Sequence, residues 1–367
     1  MIRIKTSGLS VLSCLCMAAL LQSCSRDDAV RRGVPEPDYN SPIEMTTAFT
    51  KAMDPLANSN LHIQKFDISA IWNYDGSSAN KWYIDTQEVV RNGSSQWVTA
   101  PMSYWPVLGN LSFFFYAPSK TVAGSMINFN KENTGMPSVT FIPLTHDVSD
   151  QVDMCMAQPV LNVTKQIGPV PADLYHTLTQ VWFDMNYKGT LPDPNYYVLI
   201  DQISIKNVIG CKKCYYAMSA PYYEWQPDSE CTADSTYVVS RFTHNELKSG
   251  YFTPGIWEYD SLPLETDGVF VPVQNSFGRL YLIPQHIETS TIISITYGFY
   301  VKVLDNYVAV ASFTKELPMP AAMDWEPNRV VRYKITLDIG LSQPVVTGYV
   351  IDDWQSSGNV HSEIFFD

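Results

Sequence analysis

The stretch Ile293-Ser-Ile-Thr-Tyr-Gly-Phe-Tyr-Val-Lys-Val303 decides the fold. Successive side chains of a strand point to opposite faces, so Ile293, Ile295, Tyr297, Phe299, Val301 and Val303 share one apolar face. The same period recurs in Thr179 to Tyr187, where Val181, Phe183, Met185 and Tyr187 lie opposite Gln180, Asp184 and Asn186. It recurs again in Val331, Tyr333, Ile335, Leu337 and Ile339, opposite Arg332, Lys334, Thr336 and Asp338. Half-buried antiparallel strands need a cover for the apolar face, and no long amphipathic helix is available to supply it. A second sheet must do so, and the class is all-β, an antiparallel β-sandwich.

Outward from these strands, short runs rich in Val, Ile, Phe, Tyr and Trp are broken by Pro, Gly and Asn-Gly signals. A chain of 367 residues, 46% of them hydrophobic, has ample core material but exceeds the usual size of one core. Two tandem sandwiches are expected. The break falls at Lys165 to Pro171, where Gly168-Pro-Val-Pro171 interrupts any central strand. That gives residues 43–167 as the first sandwich and 168–367 as the second; Leu191-Pro-Asp-Pro-Asn195 reads as a loop within the latter.

The N-terminus is an address. Arg3 and Lys5 precede the apolar run Leu9 to Leu21, too short to span a bilayer but long enough for a secretory signal. It closes in Leu21-Gln-Ser-Cys24, which resembles a bacterial lipobox, making residues 1–23 a signal peptide and Cys24 the lipidated first residue of the mature chain. A lipid-bearing N-terminus holds a protein on a membrane without a transmembrane helix. Residues 24–42 read as a tether, with prolines at 35, 37 and 42, and Ser25-Arg-Asp-Asp28 resembles the acidic tag that sends Bacteroides-type lipoproteins to the outer face. The expected location is the cell outer membrane.

Loss of residues 1–23 removes Arg3 and Lys5 and no acid, so 22 basic side chains face 37 acidic ones, a net charge of −15. Such a chain does not seek nucleic acid or an anionic lipid surface. Beyond Cys24, four cysteines remain. Cys211, Cys214 and Cys231 are compatible with a disulfide, with part of a thiolate metal site or with unpaired thiols, and the spacing does not decide between them. Cys155, within Met154-Cys-Met156, reads as core packing.

Catalytic signatures are missing: there is no G-x-S-x-G, no H-E-x-x-H and no phosphate-cradling glycine loop. The six histidines, at 62, 146, 176, 244, 286 and 361, form no local metal pair, and a lone strand histidine such as His176 reads as packed and hydrogen-bonded. Acid pairs such as Asp352-Asp353, or Glu258 with Asp260, read as solvated faces. No catalytic residue, cofactor or metal is expected. Two aromatic groups, Trp97 with Tyr104 and Trp105, and Tyr222 with Tyr223 and Trp225, read as core or turn packing; a sugar-stacking platform on a glycan-binding surface lipoprotein is the alternative.

Several phrases, in order, resemble fimbrillins, the type V pilins of Bacteroidetes. Thr50-Lys-Ala52 resembles their basic processing point, where arginine is usual. Trp105-Pro106 followed by Leu111-Ser-Phe-Phe-Phe-Tyr-Ala-Pro118 is similar to their W-P strand, Asp153-Met-Cys-Met-Ala157 to D-L-M-Y-A, and His176-Thr-Leu-Thr-Gln-Val181 to H-x-L-x-x-V. Trp325-Glu-Pro-Asn328 and the strand after it resemble the family's ending.

The resemblance implies transthyretin-like sandwiches in a lipoprotein precursor whose first strand is removed by a surface protease. The groove left behind takes an extended segment of a neighbouring pilin subunit. Carried onto this chain, the leaving strand is Ile43 to Thr50, the cut follows Lys51, and the donor is Val345 to Trp354 or Glu363 to Phe366. An anchor subunit keeps its lipid and is not cut. The implied partners are other pilin subunits, the outer membrane through the Cys24 lipid, and a host or bacterial surface ligand.

Overall fold

The structure is a computed structural model that describes residues 33–47, 65–92, 96–143, 151–226, 235–241, 271–272, 280–304, 306–319, 322–339, 345–353 and 362–365. Strands dominate: among the described residues, helix is confined to single turns at Lys120–Ala123 and Lys165–Ile167. Cys24, Lys51 and Cys231, with the signal peptide, lie outside the described residues.

In the second half, Tyr196–Val208 and Ile292–Val303 pair antiparallel at the centre of a four-stranded sheet, flanked by Ser235–Arg241 and Asn306–Pro318. Its partner is a six-stranded sheet built round Thr179–Lys188 and Arg329–Asp338, extended by Val345–Asp353 and Ser362–Phe365. The alternating residues meet between them: Val181, Phe183 and Met185 with Val331, Tyr333 and Ile335 on one side, Ile293, Ile295 and Tyr297 on the other. Each such fully buried side chain contributes about 1.5–3 kcal/mol relative to exposure.

Three details depart from the sequence pattern. Thr179–Lys188 runs parallel, not antiparallel, to Arg329–Asp338, because the chain between them first builds the opposite sheet and re-enters from the same end. Val303 is 52% exposed, since one strand residue is unmatched in the ladder between Phe299 and Tyr300; the bulge bends the hairpin past the core. Gln180, expected on a polar face, is 1% exposed because that face lies against the junction described below.

The first half centres on a nine-stranded sheet, in which Lys65–Trp72 and Leu111–Ala117 are neighbours. Leu111-Ser-Phe-Phe-Phe-Tyr-Ala117 is buried throughout and shows no alternation. Phe113 and Phe115 pack on Phe66, Ile68 and Trp105, whereas Phe114 and Tyr116 pack on Ile127, Val139 and Phe141 from a second sheet. A strand covered on both faces reads as an unbroken apolar run.

The expected break at Lys165 to Pro171 does not separate the halves. Val170–Pro171 and Leu174–His176 still belong to the nine-stranded sheet. The chain then starts the second half, and returns: the hairpin Lys212–Tyr216 with Tyr223–Gln226 pairs onto Ser138–Phe141, completing the covering sheet of the first half. Tyr216 Oη donates to the Phe115 carbonyl at 2.8 Å, Tyr223 Oη to that of His176 at 2.8 Å, and Trp225 Nε1 to that of Thr177 at 2.7 Å. A third cluster therefore joins Phe114, Met154 and Leu178 to Cys214, Tyr281 and Ile283 from later in the chain.

Candidate functional site

The opening segment is bound by two different partners in succession. Pro37–Pro42 pairs antiparallel with Tyr104–Pro106, and Tyr39 meets Tyr104 edge-on at 5.2 Å between ring centroids. Lys165 Nζ holds Asp38 Oδ2 at 2.9 Å, and this contact, with hydrogen bonds from Ser41 and Asn40, lowers the Asp38 carboxyl to about 2. Then the chain turns inward. Ile43 N donates to the Ser103 carbonyl at 2.9 Å, and Glu44–Thr46 enters the nine-stranded sheet between Trp97–Ala100, antiparallel, and Val170–Pro171, parallel. Met45 lies opposite Trp97 on one side and Val170 on the other. Ile43 and Met45 are 0% and 2% exposed, in the core with Phe66, Trp97 and Val170.

This arrangement makes Glu44–Thr46 an interior element of the sheet, while the segment just upstream, Pro37–Pro42, pairs with a different strand. Withdrawing it unpairs Trp97–Ala100 and Val170–Pro171 along facing edges and uncovers Trp97 and Ala172. Upstream, a cavity of about 740 Å³ lies between the segment and the body of the sheet; Val34, Pro37 and Tyr39 form one wall, Tyr83, Met102 and Tyr104 the other. Loss of the segment removes that wall.

The other sequence-derived residues are dispersed. The strand expected over Ile43 to Thr50 is described as far as Thr47, with pairing over Glu44–Thr46. Both donor candidates are strands at the side of the six-stranded sheet, Val345–Asp353 paired on both flanks and Ser362–Phe365 on one. Cys211 is disulfide-bonded; since Cys155 and Cys214 are free thiols, its partner lies outside the described residues. Cys214 is fully buried, and burial raises its thiol pKa well above the usual range. Of the aromatic groups, Trp97, Trp105 and Tyr223 are 7%, 3% and 5% exposed, which removes their faces from solvent.

One constellation escaped the sequence. Cys155–Ala157 pairs with Leu174–His176 so that Cys155 stands directly opposite His176. Asp153 Oδ2 lies 2.5 Å from His176 Nδ1, and Cys155 Sγ lies 3.7 Å from the same nitrogen and 3.8 Å from that oxygen. Burial and the neighbouring carboxyl of Asp153 push the Cys155 thiol well up. The three residues are far apart along the chain on one side and share apolar neighbours, so no local pattern announces them.

The described residues form an all-β fold of paired sheets, with Glu44–Thr46 built into the core of the first half. A family model described as fimbrillin-like matches residues 50–354, and the chain belongs to that family. A fimbrial protein from Bacteroides vulgatus superposes with a TM-score of 0.59 at 17% identity, over 85% of this chain and 99% of that one. A candidate cell adhesion protein from Bacteroides uniformis gives 0.45 at 14% identity, over 86% and 99%. The tip fimbrial protein Mfa3 from Porphyromonas gingivalis, with a C-terminal truncation, gives 0.31 at 12%, over 85% and 98%. No curated protein matches the chain.

Proposed function

We propose that this chain is a structural subunit or anchor of a cell-surface pilus, held on the outer membrane by a lipid on Cys24 and assembled by strand exchange. The observation that carries the reading is the burial of Ile43 and Met45 between two strands that are not continuous with them in sequence. Family membership supports a fimbrial role, and nothing in such a role requires catalysis.

The energetics favour exchange over simple loss. The described opening strand buries two large apolar side chains, about 3–6 kcal/mol of transfer free energy. Cutting after Lys51 turns its departure into dissociation, and the groove is refilled by a donor. As a donor, Val345–Asp353 offers a nine-residue strand with backbone bonds and alternating side chains along its length. If Lys51 is left intact, the chain keeps both lipid and opening strand and serves as an anchor with a donor but no acceptor groove.

Surface material from the native bacterium tests the reading. Polymers that resist SDS and contain this chain support it; a chain found only as monomer, in both surface and membrane fractions, contradicts assembly. Radiolabelled palmitate tests the anchor, with label expected on the wild type and lost in Cys24→Ser.

A further inference from the structure

We propose that Asp153, Cys155 and His176 form a buried site for a borderline-soft divalent cation such as zinc. The donor set is one carboxylate oxygen, one sulfur and one imidazole nitrogen, which is the set zinc selects. Their ligand atoms all lie within 4.8 Å of one another, and the side chains are buried. A four-coordinate zinc with Zn–S about 2.3 Å and Zn–N about 2.0–2.1 Å places sulfur and nitrogen roughly 3.5 Å apart. The distances from Cys155 Sγ, 3.7 Å to His176 Nδ1 and 3.8 Å to Asp153 Oδ2, already approach that edge. Only the 2.5 Å edge between His176 and Asp153 must open, by about 0.8 Å, which a small carboxylate rotation supplies.

A second observation points to a ligand. Asp153 Oδ1 is buried and accepts no hydrogen bond, although the residue is 7% exposed. A buried carboxylate oxygen without a donor costs free energy, and a bidentate contact to a cation removes that cost. Charge balance agrees. Binding sends the thiol proton of Cys155 to solvent and clears His176 Nδ1, whose proton passes to Nε2 of the same ring or to solvent; zinc with a carboxylate, a thiolate and a neutral imidazole is uncharged. Within the fold the ion clasps Cys155–Ala157 to Leu174–His176, the last pairing before the chain crosses into the second half. Tyr223 hydrogen-bonds the His176 carbonyl, so the clasp also fixes the returning hairpin.

Cobalt(II) titration of the full mature chain after chelator treatment tests this, read by thiolate-to-cobalt charge transfer in the near ultraviolet and by competition with zinc. The expected result is a saturating one-to-one band that zinc abolishes, lost in Cys155→Ser and retained in Cys214→Ser. Thermal unfolding in zinc against chelator provides a second readout, with a rise in Tm for the wild type and Cys214→Ser but not for Cys155→Ser. No band and no zinc-dependent Tm in folded wild type overturns the proposal, as does a band that survives Cys155→Ser.

Discussion

Met45 stands directly opposite Trp97 in an antiparallel pair, and that one register places Glu44–Thr46 inside a core built by residues up to 174. An N-terminal segment that merely trailed from a lipid anchor would have no such partner. Met45→Ala in the uncut chain is therefore expected to cost about 2–5 kcal/mol, the range for emptying a buried site. Chemical denaturation of the precursor measures it; a change below the scatter of the assay would mean that Glu44–Thr46 is dispensable to the sheet.

Asp67 predicts an acid-side pH dependence. It is 2% exposed, and its Oδ2 accepts hydrogen bonds from Tyr116 Oη and Lys120 N, each at 2.7 Å. Burial raises its carboxyl above 3.8, against the lowering effect of those two donors. A raised folded-state pKa means the fold holds the proton more tightly than the unfolded chain does. The contribution to stability is complete below about 3.8 and is lost as pH rises through the raised value. Asp67→Asn keeps an acceptor for both donors and does not ionise, so its stability relative to the wild type should climb across that window. Urea midpoints at a series of acidic pH values test the sign, and a difference that stays flat or falls contradicts it.

Gly109 sits at φ +87°, and a Cβ there would lie 2.3 Å from Trp72 Nε1 and 2.6 Å from Asn73 Oδ1. Trp72 Nε1 donates to the Leu108 carbonyl at 2.9 Å, so the indole is held where the clash occurs. Gly109→Ala is expected to cost about 1–2 kcal/mol for the left-handed backbone and a further 1–3, roughly, for the overlap. Thermal unfolding gives the size, and tryptophan fluorescence reports whether Trp72 has moved.

Trp105 separates the assembly reading from glycan capture. It is 3% exposed and packs edge-on against Phe113 at 5.5 Å between centroids. Trp105→Ala should lose about 3–5 kcal/mol of stability. A folded Trp105→Ala variant of near wild-type stability that has lost glycan-array binding would instead make the indole a ligand contact.

The second-half sandwich was legible because its two central strands have one face toward the core, so Ile293, Ile295 and Tyr297 alternate with polar neighbours. Phe113, Phe114 and Phe115 gave a strand but not its surroundings, because burial on both faces erases the period that would say which side is covered. The returning hairpin was invisible: Lys212–Tyr216 has no feature that distinguishes Ser138–Phe141 as its partner from any nearer strand. The Asp153, Cys155 and His176 cluster was hidden for the same reason, since only strand register brings residue 176 opposite residue 155. Ile43 and Met45 were marked by their family resemblance, and their partner strands came from the topology.

In the proposed assembly, the opening strand leaves and a neighbour's strand takes its place. Mass spectrometry of the chain from SDS-resistant surface polymers, digested with a protease that does not cut after lysine, tests it most directly. Strand exchange gives an N-terminus at Ala52 and no peptide containing Ile43 or Met45. Polymers whose subunits still carry Ile43 and Met45 throughout would contradict it.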